Sequence, residues 1–218
     1  MAVIAEESIA IPIAGGHHIE ADLHVPDEAS GLVVFAHGSG SSRFSSRNRA
    51  VAASLQQRQL GTLLLDLLTR DEESADVYTR QYRFDIERLA TRVVLATDWI
   101  RQRPDLERLS IGCFGASTGA AAALVAAAER PSVVRAVVSR GGRPDLAGAA
   151  LSRVTAPTLL IVGSRDEPVI ALNEEAMRQM SGIRVELTIV PGATHLFEEP
   201  GTREEVERLA GEWFEDHL

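Results

Sequence analysis

Short runs of apolar residues alternate with amphipathic stretches along most of the chain. Two early segments, 8–13 and 17–25, instead alternate polar and apolar positions on either side of a glycine pair, which predicts antiparallel strands. The later runs are continuously apolar, as is typical of strands buried on both faces of a parallel sheet. They occupy 31–37, 61–68, 108–114, 133–139, 157–163 and 184–190. The pattern predicts an α/β fold with a mostly parallel sheet of about eight strands flanked by helices.

Apolar stripes at the helical period locate two of the helices. The first stripe lies between residues 84 and 100, and the second lies in the C-terminal helix, which is predicted to begin with a capping box of Thr202 and Glu205. The first stripe contains Ile86, Leu89, Val93, Val94 and Ile100, and the second contains Val206, Leu209, Ala210, Trp213 and Phe214. We interpret both as core packing rather than as cofactor sites.

The organisation of the chain indicates one domain over residues 1–218, because no repeat, low-complexity tract or linker interrupts it. Its first residues contain neither a basic segment nor a long apolar run, so we expect no signal peptide, no membrane anchor and a cytoplasmic location. A formal charge of −9 argues against nucleic-acid binding. The single cysteine, Cys113, cannot form an internal disulfide.

All 22 basic residues are arginines, so several mechanisms are excluded from the outset. Schiff-base aldolases, pyridoxal-phosphate enzymes, Walker-A nucleotidases and Ser–Lys hydrolases all require a lysine amine. We therefore expect any catalytic base of a serine or cysteine nucleophile in this chain to be a histidine.

A G-x-S-x-G motif follows the run that ends at Phe114 and precedes an alanine-rich helix. This strand–turn–helix context is the one in which the motif forms a nucleophile elbow, with small residues at 115 and 119 permitting a very tight turn. Ser117 is therefore the predicted nucleophile, against the alternative of a plain glycine-rich turn. Cys113 lies inside the preceding strand, where we expect a buried, unreactive thiol.

The base should follow the nucleophile in the chain, because the order in this architecture is Ser, acid, His. Only His195 and His217 lie downstream of Ser117, and His217 is the penultimate residue. His195 follows the last apolar run, at the edge of the sheet where a site is expected, and it is the predicted base.

The acid should follow an earlier strand, and Asp166 comes directly after the run 157–163. It would accept the imidazole N–H and fix the tautomer of the base. Glu167 and Asp145 are the alternatives, and a helix-capping role for Asp166 is the competing interpretation.

The oxyanion hole is expected from two backbone N–H groups. One belongs to Thr118, directly after the nucleophile, and the other to the loop 37–43, where we expect Ser39 with Gly40 as the alternative. His37 is expected to brace this loop rather than to transfer protons.

The motifs HGSGSS, GASTG, SRDEP and ATHLF occur in the order and spacing of the α/β-hydrolase superfamily, and the chain resembles its dienelactone-hydrolase-like branch. The segments LLLDLLTRDEE and SRGGRPDLA are similar to that branch as well. The resemblance implies an eight-stranded sheet and ester or lactone hydrolysis through an acyl-enzyme, with Ser117, Asp166 and His195 at the triad positions. Dienelactone hydrolases carry a cysteine nucleophile, so the serine found here favours a serine esterase. Some relatives are joined to phosphoribosyltransferase domains.

The expected substrate is a small ester with a short acyl group, and the expected site needs no cofactor or metal. We expect no large lid, and we expect the loop from Thr69 to Arg83 to shape the entrance. Arg140 and Arg143 follow a strand end and are candidates for binding a substrate anion, although a solvated or ion-paired role is the competing interpretation. The alternative activities on the same triad are those of a thioesterase, an acyltransferase or a small peptidase. A non-catalytic binding module is the alternative from a different class. A homodimer is the expected assembly if the chain associates.

Overall fold

Eight strands form one sheet in the computed structural model, which describes residues 5–218, and their order across the sheet is β1-β2-β4-β3-β5-β6-β7-β8. β2 pairs antiparallel with β1 and β4, and every other neighbouring pair is parallel. The strands are β1 (Ala5–Pro12), β2 (His18–Val25), β3 (Gly31–Ala36), β4 (Leu60–Leu65), β5 (Ser110–Ala116), β6 (Val134–Arg140), β7 (Thr158–Gly163) and β8 (Val185–Val190). The mostly parallel eight-stranded sheet expected from the apolar runs is confirmed.

Helices cover both faces of the sheet. The α-helices are α1 (Ser46–Gln57), α2 (Arg70–Thr79), α3 (Ile86–Gln102), α4 (Thr118–Glu129), α5 (Glu167–Gln179) and α6 (Thr202–His217). A 3₁₀ helix, Pro144–Arg153, lies between β6 and β7 in the chain. One core lies between the sheet and α3 and α4, and the other lies between the sheet and α1 and α6. No lid covers the strand ends within residues 5–218.

Both predicted apolar stripes lie in these cores, which confirms their interpretation as packing faces. The predicted capping box of α6 is wrong. Gly201, with φ of 82°, is the N-cap of the helix, so Thr202 already lies in the first turn and its hydroxyl donates to the carbonyl of Glu199 at 2.7 Å. Glu205 instead pairs with Arg208.

The segment expected to be a loop, from Thr69 to Arg83, contains the helix α2. A capping box begins this helix, since the Thr69 hydroxyl accepts from the N–H of Glu72 and the Glu72 carboxylate accepts from the N–H of Thr69. Three acidic residues in its first turn also interact favourably with the helix dipole. Across the described part of the chain, no helix is both long and apolar enough to cross a membrane.

Candidate active site

Ser117 occupies a sharp turn between β5 and α4, with φ of 51° and ψ of −121°, a backbone conformation that is strained for a residue with a side chain. Glycine is required on both sides of it. A Cβ on Gly115 would lie 2.4 Å from the Cα of Ala120, and a Cβ on Gly119 would lie 2.2 Å from the carbonyl oxygen of Ala36. The sequence motif therefore forms the tight strand–turn–helix geometry of a nucleophile elbow.

Main-chain hydrogen bonds hold this turn in place. The N–H of Ser117 donates to the carbonyl of Arg140 at 3.3 Å, and its own carbonyl accepts from Ala120 and Arg143 at 3.1 and 3.0 Å. The Ser117 hydroxyl forms no hydrogen bond with any of the residues 5–218. In unliganded sites the hydrogen bond between nucleophile and base is often long and shortens only in the complex.

His195 and Asp166 meet at the same edge of the sheet. The ring nitrogen Nδ1 of His195 donates to Oδ2 of Asp166 at 2.6 Å, and this bond leaves Nε2 as the nitrogen available to accept a proton. Asp166 stands at the N-cap of α5, but its side chain makes no capping bond. Of the three candidate acids, Glu167 is exposed and Asp145 pairs with Arg143, so only Asp166 contacts the histidine.

The loops that carry these two residues are joined by hydrogen bonds that the sequence did not indicate. The N–H of Arg165 donates to the carbonyl of Ala193 at 2.9 Å, and the N–H of Gly192 donates to the hydroxyl of Ser164 at 2.8 Å. The acid loop and the histidine loop are therefore held in register, and the imidazole is oriented by more than its single contact with the carboxylate.

The loop after β3 passes directly over the elbow. A Cβ on Gly38 would lie 3.1 Å from the Cβ of Ser117. His37 is buried behind the loop, where its Nδ1–H donates to the carbonyl of Gly38 at 2.8 Å and its Nε2 accepts from the N–H of Leu67 at 3.1 Å. Burial lowers the pKa of His37, although the bond to Gly38 and the charge of Asp66 oppose that shift. His37 thus braces the loop as a neutral imidazole.

The two predicted oxyanion donors, Thr118 and Ser39, belong to the start of α4 and to the loop that passes over Ser117. Thr118 is the first residue of α4, so its N–H is one of the amides that a helix leaves without an internal partner. Ser39 follows Gly38, and Gly40 adopts a φ of 68° with the Arg83 guanidinium beside it. This loop and the start of α4 together bring backbone N–H groups and a positive helix end to the Ser117 side chain.

A partly buried ion network anchors the same loop from outside the site, and sequence reasoning missed it. Arg43 donates its main-chain N–H to Asp66 at 2.7 Å and pairs with Asp66 and Asp22 through its guanidinium. Arg49 completes the network with a contact to Asp22 at 2.7 Å. These partners are more than 20 positions apart, so no local spacing could have revealed them.

A cavity of about 280 Å³ opens between this loop and α2. Residues 37–42 form one wall, and Asp76, Val77 and Arg83 contribute to the other. Asp76 is buried and accepts from the main-chain N–H of Tyr82 and from Arg83 Nε, at 2.7 and 2.6 Å. The segment 69–83 does line a cavity beside the site, as the expected role in shaping an entrance requires, but it does so as a helix.

The two candidate anion-binding arginines differ in their surroundings. Arg143 is partly exposed and forms two hydrogen bonds with Asp145, at 2.8 and 2.7 Å. Arg140 is buried, and its Nη2 donates to Oδ1 of Asn48 at 3.2 Å. As for metals, the described residues contain no group of three or more His, Cys, Asp or Glu side chains able to hold an ion.

Known proteins similar to this chain include a solved dienelactone hydrolase from Anabaena variabilis, which is 56% identical, covers 99% of each chain and has a TM-score of 0.96. The same fold recurs in Est1E from Butyrivibrio proteoclasticus, with a TM-score of 0.79 at 17% identity, covering 96% of this chain and 98% of that one.

Among curated proteins, one from Mycobacterium tuberculosis strain H37Rv, named "Putative phosphoribosyl transferase", is 55% identical over 215 residues. That match includes 99% of this chain but only 47% of the relative, so the chain spans about half the length of the curated relatives it matches. The model of the dienelactone hydrolase family matches residues 19–217. The chain therefore belongs to the dienelactone hydrolase family.

Proposed function

We propose that this protein is a serine hydrolase that cleaves small carboxylic esters or lactones through an acyl-enzyme. The observation that carries the proposal is the arrangement of three strand ends. Ser117 stands in the strained turn after β5, and the His195–Asp166 pair joins the loops after β8 and β7. Membership of the dienelactone hydrolase family supports hydrolase activity, and the serine at the elbow selects the serine form of the chemistry.

In the proposed mechanism, the Ser117 hydroxyl attacks the acyl carbonyl while Nε2 of His195 takes its proton. The Thr118 and Ser39 amides donate to the oxyanion of the tetrahedral intermediate. The carbon–oxygen bond to the alcohol then breaks, and the imidazolium returns the proton to that leaving group. Water repeats the sequence on the acyl-enzyme and releases the acid. Asp166 keeps Nδ1 protonated and stabilises the imidazolium throughout.

The cavity between residues 37–42 and α2 supports a small substrate, because its volume of about 280 Å³ has room for a short acyl or alcohol group. We propose no phosphoribosyl transfer for this chain. The name of the Mycobacterium tuberculosis proteins belongs to chains about twice as long, and the matched part here is the dienelactone hydrolase region. The cytoplasmic location and the homodimer expected from the sequence stay predictions.

The experiment has two parts. One sample is labelled with a fluorophosphonate, and a separate, unlabelled sample is assayed for hydrolysis of para-nitrophenyl esters of increasing acyl length. The wild-type protein should be labelled once per chain and should hydrolyse the short esters fastest. Ser117→Ala should lose the label and lower kcat on the order of 10⁵-fold or more. Ser152→Ala, on the exposed surface of the 3₁₀ helix, is the matched control and should keep both. Undiminished hydrolysis by Ser117→Ala would overturn the proposal.

A further inference from the structure

Residues 141–143, which we call the bridge segment, follow β6 and are bonded to the nucleophile through the main chain. The N–H of Ser117 donates to the carbonyl of Arg140, directly before the bridge segment, and the carbonyl of Ser117 accepts from the N–H of Arg143 at 3.0 Å. Both polar groups of the Ser117 main chain are therefore engaged by the end of β6 and the residues that follow it. A shift of the bridge segment must move Ser117 with it.

The bridge segment also packs against the predicted base. A Cβ on Gly141 would lie 2.9 Å from the carbonyl oxygen of His195 and 3.6 Å from Cε1 of its ring. On the other side, the N–H of Gly141 donates to the carbonyl of Ile161 in β7 at 2.8 Å. The bridge segment thus contacts both the turn that carries the nucleophile and the loop that carries the base.

The first two residues of the bridge segment are glycines, so no side chain of their own can hold them in place. Gly141 has φ of 51°, a conformation that glycine adopts at little cost. A Cβ on Gly142 would overlap the Ser139 hydroxyl and lie 2.6 Å from Cβ of Ala120, so only glycine fits there. The position of this flexible pair depends on the hydrogen bonds that its main chain makes with other elements.

Asn173 of α5 supplies such a bond to Gly142. Its Nδ2 donates to the carbonyl of Gly142 at 3.1 Å and to the carbonyl of Val169, four residues earlier in α5, at 2.7 Å. Asp166 is the N-cap of the same helix, about two turns before Asn173. One helix therefore begins at the predicted acid and fixes the segment that contacts the nucleophile and the base.

The amide of Asn173 is a costly choice for packing alone. The residue is fully buried, and its Oδ1 has no hydrogen-bond partner among residues 5–218. A buried polar atom without a partner destabilises a fold, and asparagine is a poor helix former. Leucine has the same number and branching of side-chain atoms and would avoid both costs. It lacks only the donor, which is the group that reaches Gly142.

We propose that Asn173 is a positioning residue that, by fixing the bridge segment, holds Ser117 and His195 at the separation at which the hydroxyl proton can pass to Nε2. The proposal rests on the proposed function and adds to it a residue that need not touch the substrate. A misplacement of about 1 Å can lower a catalysed rate about 100-fold. Loosening the bridge segment should therefore affect turnover more than folding.

The first test is Asn173→Leu, assayed with the para-nitrophenyl ester that the wild-type protein cleaves fastest. We expect kcat to fall about 10- to 100-fold with little change in KM, because proton transfer rather than substrate binding is impaired. A fluorophosphonate should label the variant at a similarly reduced rate but still reach one label per chain. A merely structural role would instead reduce the fraction of chains that can be labelled. Unchanged kcat would overturn the proposal and leave the proposed function intact.

Thr97→Val is the matched control for this variant. It removes another fully buried side-chain donor in a helix, since the Thr97 hydroxyl donates to the carbonyl of Val94 in α3 at 2.8 Å. The control should keep the wild-type kcat and labelling rate. An equal loss of kcat in Thr97→Val and Asn173→Leu would mean that any buried hydrogen bond has this effect, which would contradict a specific role of Asn173.

A second pair of variants tests the bridge segment while leaving Asn173 intact. Gly141 and Gly148 have nearly the same φ, 51° and 52°, so alanine is strained at either position. A Cβ at position 148 would meet no other part of residues 5–218 within 4 Å, whereas one at position 141 would press on His195. Gly141→Ala should lower kcat about 10- to 100-fold, and Gly148→Ala should keep it. Equal kcat in the two variants would contradict the role of the bridge segment.

Amide hydrogen exchange provides a readout that does not depend on hydrolysis. The N–H of Arg143 is protected by its bond to the Ser117 carbonyl, and it should exchange about 10-fold faster or more in Asn173→Leu but not in Thr97→Val. Faster exchange in Asn173→Leu, together with a wild-type protein that cleaves no ester, would support the hold on Ser117, so that only the proposed function fails. Unchanged exchange would overturn the positioning role whether or not the wild-type protein cleaves esters.

Discussion

Gly119 and Ala36 approach each other so closely that a Cβ on Gly119 would lie 2.2 Å from the carbonyl oxygen of Ala36. The contact joins the first turn of α4 to the end of β3, the strand that leads into the loop over Ser117. It therefore couples the elbow to the segment expected to supply an oxyanion donor. Because the clashing atom belongs to the main chain, no side-chain rotation can relieve it.

Gly119→Ala should consequently lower both stability and ester hydrolysis. Overpacking of a well-packed interior costs about 1–3 kcal/mol, and a main-chain clash belongs at the upper end. In a protein of this size, that corresponds to a decrease in Tm of about 6–12 °C. Thermal unfolding followed by circular dichroism measures it. Gly61→Ala is the matched control, because there the nearest atom is the end of the Leu32 side chain at 3.0 Å. Equal losses in the two variants would contradict the role of the close approach.

Local sequence patterns were sufficient to predict those parts of the fold and of the site that depend on neighbouring residues in the chain. The continuous apolar runs predicted the parallel strands because a strand buried on both faces needs apolar residues at every position. The position of Ser117 followed from the glycines at 115 and 119, since only a residue without a Cβ fits there. Chain order left His195 and His217, and the position of His195 after the last apolar run selected it; the structure brings His195 to Asp166.

Other features depend on contacts between distant residues or on competition between neighbouring ones. Arg43 pairs with Asp22 and Asp66, and nothing in the sequence selects those two carboxylates from 31 acidic residues. At α6, Thr202 resembles an N-cap, but Gly201 can adopt a positive φ and takes that position.

The helix α2 was not predicted, because polar contacts rather than an apolar stripe stabilise it. Its capping box and its contact between Asp76 and Arg83 stabilise a segment that has almost no apolar stripe.

Replacing Asp166 tests the role of its contact with His195. In Asp166→Asn, the amide no longer favours protonation of Nδ1, so the imidazole spends much of its time in the wrong tautomer and its protonated form loses a negative partner. We expect kcat for short esters to fall on the order of 10³- to 10⁴-fold, with KM changed little. Glu167→Gln, at the adjacent exposed position, should keep full activity. The reverse result would identify Glu167 as the acid.

The only thiol of the chain should play no part in hydrolysis. Cys113 is fully buried in β5, and burial raises its pKa to about 12, so almost none of it is thiolate near neutral pH. Ellman's reagent should label about one thiol per chain in denaturant and almost none in the native protein. Iodoacetamide should accordingly leave the rate of ester hydrolysis unchanged. Rapid native labelling accompanied by loss of activity would assign the nucleophile to Cys113 instead of Ser117.

The brace formed by His37 should make stability depend on pH. Its folded pKa is lowered by burial, so in mildly acidic solution the unfolded chain binds a proton that the folded chain does not. Its contribution is therefore present above the unfolded pKa of about 6.5 and is lost as pH falls below that value. At pH 8, His37→Gln should be about 1–3 kcal/mol less stable than the wild type, because an amide does not reproduce the fixed spacing of the two ring nitrogens that bond to the Gly38 carbonyl and the Leu67 N–H. Urea unfolding at pH 8, 7, 6 and 5 should show this difference shrinking on the acid side, since the wild type loses stability more steeply than the variant. The other five histidines are the same in both proteins, so their effects cancel in the comparison. A difference that stayed constant from pH 8 to pH 5 would mean that the protonation of His37 is not linked to unfolding.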